Sequence, residues 1–88
     1  YYVSIQSENK SGLYLTAQTD GTVVLAQDVD AAEETAQAQT FHTMEGLSDK
    51  KGVSFESVLM LGQYLTLQDG KLVLTDGSDK KAATFYLN

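Results

Sequence analysis

The chain has 88 residues, a formal net charge of −6, and no cysteine, proline or arginine. A domain this small buries only about 60–65% of the surface its unfolded chain exposes, so its core must hold without disulfides or a thiolate metal site, or lean on a partner. Six scattered lysines against twelve acidic residues argue against a phosphate-tracking surface and hence against nucleic acid, and no apolar run approaches the roughly 18–20 residues of a membrane helix.

In chain order, "YVSIQS" reads as a first strand, with Val3 and Ile5 on one face because side chains alternate with period 2. "LYLTAQ" follows as a second strand, "TDG" as a turn in which glycine supplies a positive φ, and "TVVLAQ" as a third strand. The insert "DVDAAEETAQ" has enough Ala and Glu for a single helical turn, but isolated helices so short are marginal, and a solvated acidic loop is expected. "AQTFHTM" reads as a fourth strand, and "LSDKKG" as a joint. The order then repeats with "GVSFES", "QYLTLQ", a DG turn, "KLVLT" and "AATFYLN". The start at Tyr1, directly in a strand pattern and without an initiator Met or signal peptide, suggests a processed or excised piece of something longer.

Sliding the chain on itself by 50 residues pairs Val3, Ser4, Ser7, Gly12, Tyr14, Leu15 and Thr16 with Val53, Ser54, Ser57, Gly62, Tyr64, Leu65 and Thr66. With one deletion in the turn and a further five-residue deletion, the alignment runs on to Phe41 and Phe85 and reaches fifteen identities. The chain therefore reads as one module built of two four-stranded repeats, 1–47 and 51–88, in an all-β arrangement.

The pieces "EGLSDKKGVSFES", "GQYLT" and "AATF" resemble the repeats of the arabinofuranose-binding module of B-type α-L-arabinofuranosidases, grouped with the family-42 carbohydrate-binding modules. The resemblance spans nearly the whole chain and implies a β-trefoil, a barrel of six strands with a cap of three hairpins built from three repeats. Two are visible here, so the expectation is β-trefoil-like, incomplete or completed by a partner. In the family, a His ending the second strand and an Asp preceding the fourth-strand A-T-F bind the sugar. The matching positions here hold Ala17 and Leu67, and Ala38 and Ala82, none of which offers a side-chain hydrogen bond. The resemblance thus implies a fold without its arabinose ligands, so the family's binding residues do not carry over.

Other candidates are read from residue type. His42 follows Phe41 on a strand and should point outward; no nucleophile or orienting carboxylate is placed beside it, so no catalytic constellation is expected. Asp28, Asp30, Glu33 and Glu34, and separately Asp76 and Asp79, offer hard oxygen ligands without the spacing of a calcium loop, and neither a metal nor a cofactor is expected. Tyr14 and Tyr64 fit core slots that recur in each repeat; a re-invented sugar site around Tyr64, Gln68 and Asp69 is the alternative. Leu59, Met60 and Leu61 stand where the first repeat has polar residues, and read either as a core cap or as an interface. Together these features point to a non-catalytic accessory module of a secreted or surface-anchored bacterial glycoside hydrolase, packing against or orienting its catalytic domain. Two further readings are a carbohydrate-binding module for plant polysaccharide, with a re-invented site or a site on a third repeat, and a self-associating domain in which copies complete each other.

Overall fold

The computed structural model describes residues 1–9, 12–27 and 33–86. Among them, alternating apolar and polar residues form β1 (Tyr2–Val3), β2 (Leu13–Ala17), β3 (Val23–Gln27), β4 (Phe41–Glu45), β5 (Val53–Ser57), β6 (Tyr64–Gln68) and β7 (Lys71–Thr75), with one helix, α1 (Glu33–Ala38). An antiparallel sheet runs in the order β1-β4-β5-β6-β7, and β2 and β3 form a separate two-stranded ribbon.

Turn chemistry sets the registers. In the β6–β7 hairpin Gln68 faces Lys71 across a two-residue loop, and Asp69 and Gly70 both have positive φ, 51° and 77°, as a type I′ turn requires. The β2–β3 loop is one residue longer: Gly21 has φ 89°, its N–H donates to the Gln18 carbonyl at 3.0 Å, and the Gln18 N–H donates to the Thr22 carbonyl at 2.9 Å. The single-residue gap in the sequence alignment is thus a change of hairpin type.

Many hydrogen bonds recur at matched positions. The Ser7 and Ser57 N–H groups each donate at 2.8 Å, to the carbonyls of Leu13 and Gln63. The Thr16 and Thr66 hydroxyls donate to Tyr14 and Tyr64, each at 3.0 Å. Val3 pairs with Phe41 and Val53 with Phe85. The Thr40 and Thr84 hydroxyls each turn back four residues, to the Ala36 and Lys80 carbonyls.

Three elements differ from the sequence expectation. The first strand is only Tyr2–Val3, followed by an isolated Gln6–Tyr14 bridge. The last strand shrinks to a bridge, with Val53 and Phe85 exchanging N–H···O bonds of 2.7 and 2.8 Å, because residues 81–83 are in a turn. The insert forms α1 where a loop was expected. Tertiary contact supplies what a six-residue helix lacks alone: Ala38 is buried, and the buried Gln39 amide donates to the Gln27 carbonyl at 2.9 Å and to the Thr16 hydroxyl at 3.2 Å. Asp28 and Asp30 lie outside the described residues.

Ala17, Phe41, Phe55, Leu65 and Leu74 form the core, with Leu59 and Met60 among the side chains packed against it. The buried hydroxyls of Ser54 and Thr66 are satisfied there. The Ser54 hydroxyl donates to the Ala83 carbonyl at 2.7 Å and accepts from the Leu47 N–H at 3.0 Å, and the Thr66 and Thr75 hydroxyls pair at 2.7 Å.

Candidate functional site

The sheet and the ribbon leave an apolar cleft of about 530 Å³ between them, whose lining includes Val3, Ile5, Leu15, Phe55, Leu65 and Phe85. β1 forms the free edge of the sheet beside it. On the cleft wall the Thr43 hydroxyl is buried and has no hydrogen-bond partner among the described residues. Such a group costs about 1–3 kcal/mol while it stays unpaired.

The candidate sugar residues are spread along β6 and its turn. Tyr64 opens β6 and is half-buried, its ring lying so close to Gly77 (φ 79°) that a Cβ there would come within 2.9 Å of it. Gln68 and Asp69 are exposed at the hairpin tip, four and five residues on; at about 3.3 Å per residue that puts Gln68 roughly 13 Å away. The separation follows from strand geometry, which spreads residues that stand close together in the sequence.

The positions matching the family's sugar ligands fall differently in the two repeats. Ala17 and Ala38 are both buried. Leu67, 50% exposed, donates its N–H to the Ala82 carbonyl at 2.9 Å, so the second pair stands together at the surface with apolar side chains. In the "LML" triplet, Leu59 and Met60 pack on the core while Leu61 is 76% exposed.

The carboxylates serve turns. Asp76 accepts from the Ser78 N–H at 3.0 Å and Asp79 from the Ala82 N–H at 3.3 Å. The first of these bonds holds the Asp76 carboxyl below its usual pKa. Asp20 lies below it too, through the Thr22 hydroxyl and then the Thr22 N–H. Among the described residues no cluster of His or acidic side chains could hold a metal ion, and no helix is long and apolar enough to cross a membrane. The side chains of Glu33 and Glu34 lie outside what is described.

Sequence reasoning missed one constellation. The registers place Tyr2, His42, Glu56 and Tyr64 directly opposite one another across β1, β4, β5 and β6. The Tyr2 and His42 rings lie 5.1 Å apart at 31°, and His42 Nδ1 stands 3.6 Å from Glu56 Oε1. Glu56 Oε2 accepts from the Gly62 N–H at 2.8 Å. The only sequence signal was the outward phase of His42, which by itself names no neighbours.

The alpha-L-arabinofuranosidase B (ABFB) domain model matches residues 3–88. The chain belongs to this domain family. No curated protein matches it. Among solved structures, the AbfB domain superposes on an E221Q mutant of a GH54 α-L-arabinofuranosidase soaked with 4-nitrophenyl α-L-arabinofuranoside, with TM-score 0.83 and 26% identity over 97% of this chain. An arabinofuranosidase complexed with arabinofuranosyl-α-1,2-xylobiose gives TM-score 0.82, also at 26% identity. In both cases the AbfB domain spans 19% of the solved chain. What matches is a β-rich, carbohydrate-binding-type part of a larger glycoside hydrolase.

Proposed function

We propose that this AbfB domain is a non-catalytic accessory module of a secreted glycoside hydrolase, two thirds of a β-trefoil, whose arabinofuranose pockets have degenerated and which packs against and orients the catalytic domain. The observation that carries the reading is the Leu67–Ala82 pair. The backbone bond joins the two positions where the family resemblance implies His and Asp, and the side chains there can neither donate nor accept. A sugar hydroxyl buried against them would lose its partners at about 1–3 kcal/mol each.

The trefoil part is supported by the way the hairpins touch. The tip of the first seats on the third strand of the second: Thr22 bridges Val73, and the Leu74 N–H donates to the Gly21 carbonyl at 2.8 Å. Leu74 is 7% exposed, whereas its counterpart Leu25 is 43% exposed and receives no tip among the described residues. Such head-to-tail contacts close into a ring when one more unit supplies a tip for Val24–Leu25 and a strand for Gly70–Lys71. That unit would also cover the apolar cleft.

The test restores the implied ligands. In the full-length protein, Leu67→His combined with Ala82→Asp should create binding of arabinofuranosyl oligosaccharides that L-arabinofuranosides compete away, measured by calorimetry against the unaltered protein. Equal, arabinofuranoside-sensitive binding by the unaltered protein, abolished by Leu67→Trp, would show a working pocket and overturn the reading.

A further inference from the structure

We propose that Asp69–Gly70, the tip of the β6–β7 hairpin, is a site of covalent self-modification, at which the aspartate closes to a succinimide and reopens as isoaspartate. Three Asp–Gly pairs lie among the described residues, at 20–21, 69–70 and 76–77. Glycine has no side chain to shield its amide nitrogen, so by sequence alone the three are equally open to attack. The structure separates them. At the first pair the Asp20 carboxylate accepts from the Thr22 N–H at 2.9 Å and the Thr22 hydroxyl at 2.6 Å, and the Gly21 N–H donates to the Gln18 carbonyl at 3.0 Å. At the third, Asp76 accepts from the Ser78 N–H at 3.0 Å and the Gly77 N–H donates to the Thr75 hydroxyl at 3.2 Å. Gly77 is also buried so tightly that a Cβ there would come within 2.9 Å of Leu47 and of Tyr64.

Asp69–Gly70 has none of these restraints. Both residues are exposed, and among the described residues the Asp69 carboxylate accepts no hydrogen bond and the Gly70 N–H donates none. The cause is the type I′ turn, whose closing pair, Gln68 with Lys71, spans the two tip residues and leaves their own groups unused. A Cβ on Gly70 would meet nothing within 4 Å, so the turn has room to bring nitrogen and carboxyl together. Docking at such a tip spares the carboxylate, since the Gly21 carbonyl accepts from the Leu74 N–H while Asp20 stays exposed. In the reaction the Gly70 nitrogen bonds to the Asp69 Cγ, and its proton, one carboxyl oxygen and a proton from solvent leave as water. Water then adds to either carbonyl of the imide ring, the C–N bond at that carbonyl breaks, and a carboxylate and a proton are regained. Opening at the main-chain carbonyl gives isoaspartate. Charge and mass are unchanged, but one methylene enters the backbone, and the loop loses the length that sets Gln68 opposite Lys71.

Trypsin places the three pairs on separate peptides, 11–50, 52–71 and 72–80, because Lys10, Lys50, Lys51, Lys71 and Lys80 flank them. The intact protein is held at neutral pH and body temperature in oxygen-18-labelled water, then digested in ordinary water, and the heavy oxygen gained by ring opening is read on each peptide by mass spectrometry. Peptide 52–71 should gain label about tenfold faster than the other two, the factor by which one charge-assisted hydrogen bond raises a barrier, and fragmentation should place isoaspartate at 69. Unfolded in guanidinium, the three pairs should label alike, since the restraints on Asp20 and Asp76 are then gone. Asp69→Glu, which would have to close a larger ring, should abolish the gain in 52–71. Equal labelling of the three peptides in the folded protein, faster labelling of 11–50 or 72–80, or a gain in 52–71 that survives Asp69→Glu would overturn the proposal. So would a folded 52–71 segment that stays unlabelled while the unfolded one reacts to completion.

Discussion

Asp49 and Tyr86 show how a small acidic domain ties its end to its middle. The Asp49 carboxylate accepts from the Lys51 N–H at 3.0 Å and from the Tyr86 hydroxyl at 2.9 Å, and these bonds, the backbone one foremost, hold it below the usual aspartate value of 3.8. The same hydroxyl bond pushes Tyr86 above 10.0. The signs differ. The lowered carboxyl contributes stability that is present above the unfolded value and lost as pH falls through the folded one; the raised phenol contributes below 10.0 and loses its share as pH rises through its own folded value. Tyr86 is exposed and Asp49 only partly covered, so the effect is small and salt-sensitive. Thermal midpoints of the full-length protein should therefore separate wild type from Asp49→Asn between about pH 5 and 8 and converge below about pH 3.8. A gap that stays constant into acid would mean that the charge contributes nothing.

At the scale of elements, Gln39 fastens α1 to the first hairpin, its 5% exposed amide reaching the Gln27 carbonyl and the Thr16 hydroxyl. Gln39→Leu keeps the bulk and strands those acceptors, so it should destabilise by about 1–3 kcal/mol in urea denaturation, whereas Gln37→Leu on the exposed side should cost less than about 0.5 kcal/mol. No pattern in "AQAQT" distinguishes these two glutamines, because the partner of Gln39 comes from another element. What was legible was local: alternation marked β2, β3, β6 and β7, and the DG pairs marked turns that need positive φ. The reduction of the last strand to a Val53–Phe85 bridge was not legible, since "AATFYLN" alternates as well as a real strand does. Nor was the Tyr2–His42–Glu56 row, which exists only through the registers between strands far apart in sequence.

For the whole molecule the apolar cleft governs behaviour. Free sheet edges and exposed apolar walls are what closed barrels avoid, so on the proposed reading, in which a further unit of a longer protein covers the cleft, the 88 residues alone should bind anilinonaphthalene sulfonate and associate at micromolar concentration, and the longer protein should do neither. Equal dye binding by both would mean that nothing covers the cleft. The two-residue Asp69–Gly70 turn matters on another axis, the order in which contacts become affordable during folding. It joins Gln68 to Lys71 across the shortest loop in the sheet, whereas Tyr2 must find His42 across the first hairpin and α1. By the logarithmic law of loop closure the second pairing costs about 2 kcal/mol more in chain entropy. Hairpin closure within microseconds can thus precede any β1 contact, and the strand at the free edge is the one the chain has least entropic reason to place early.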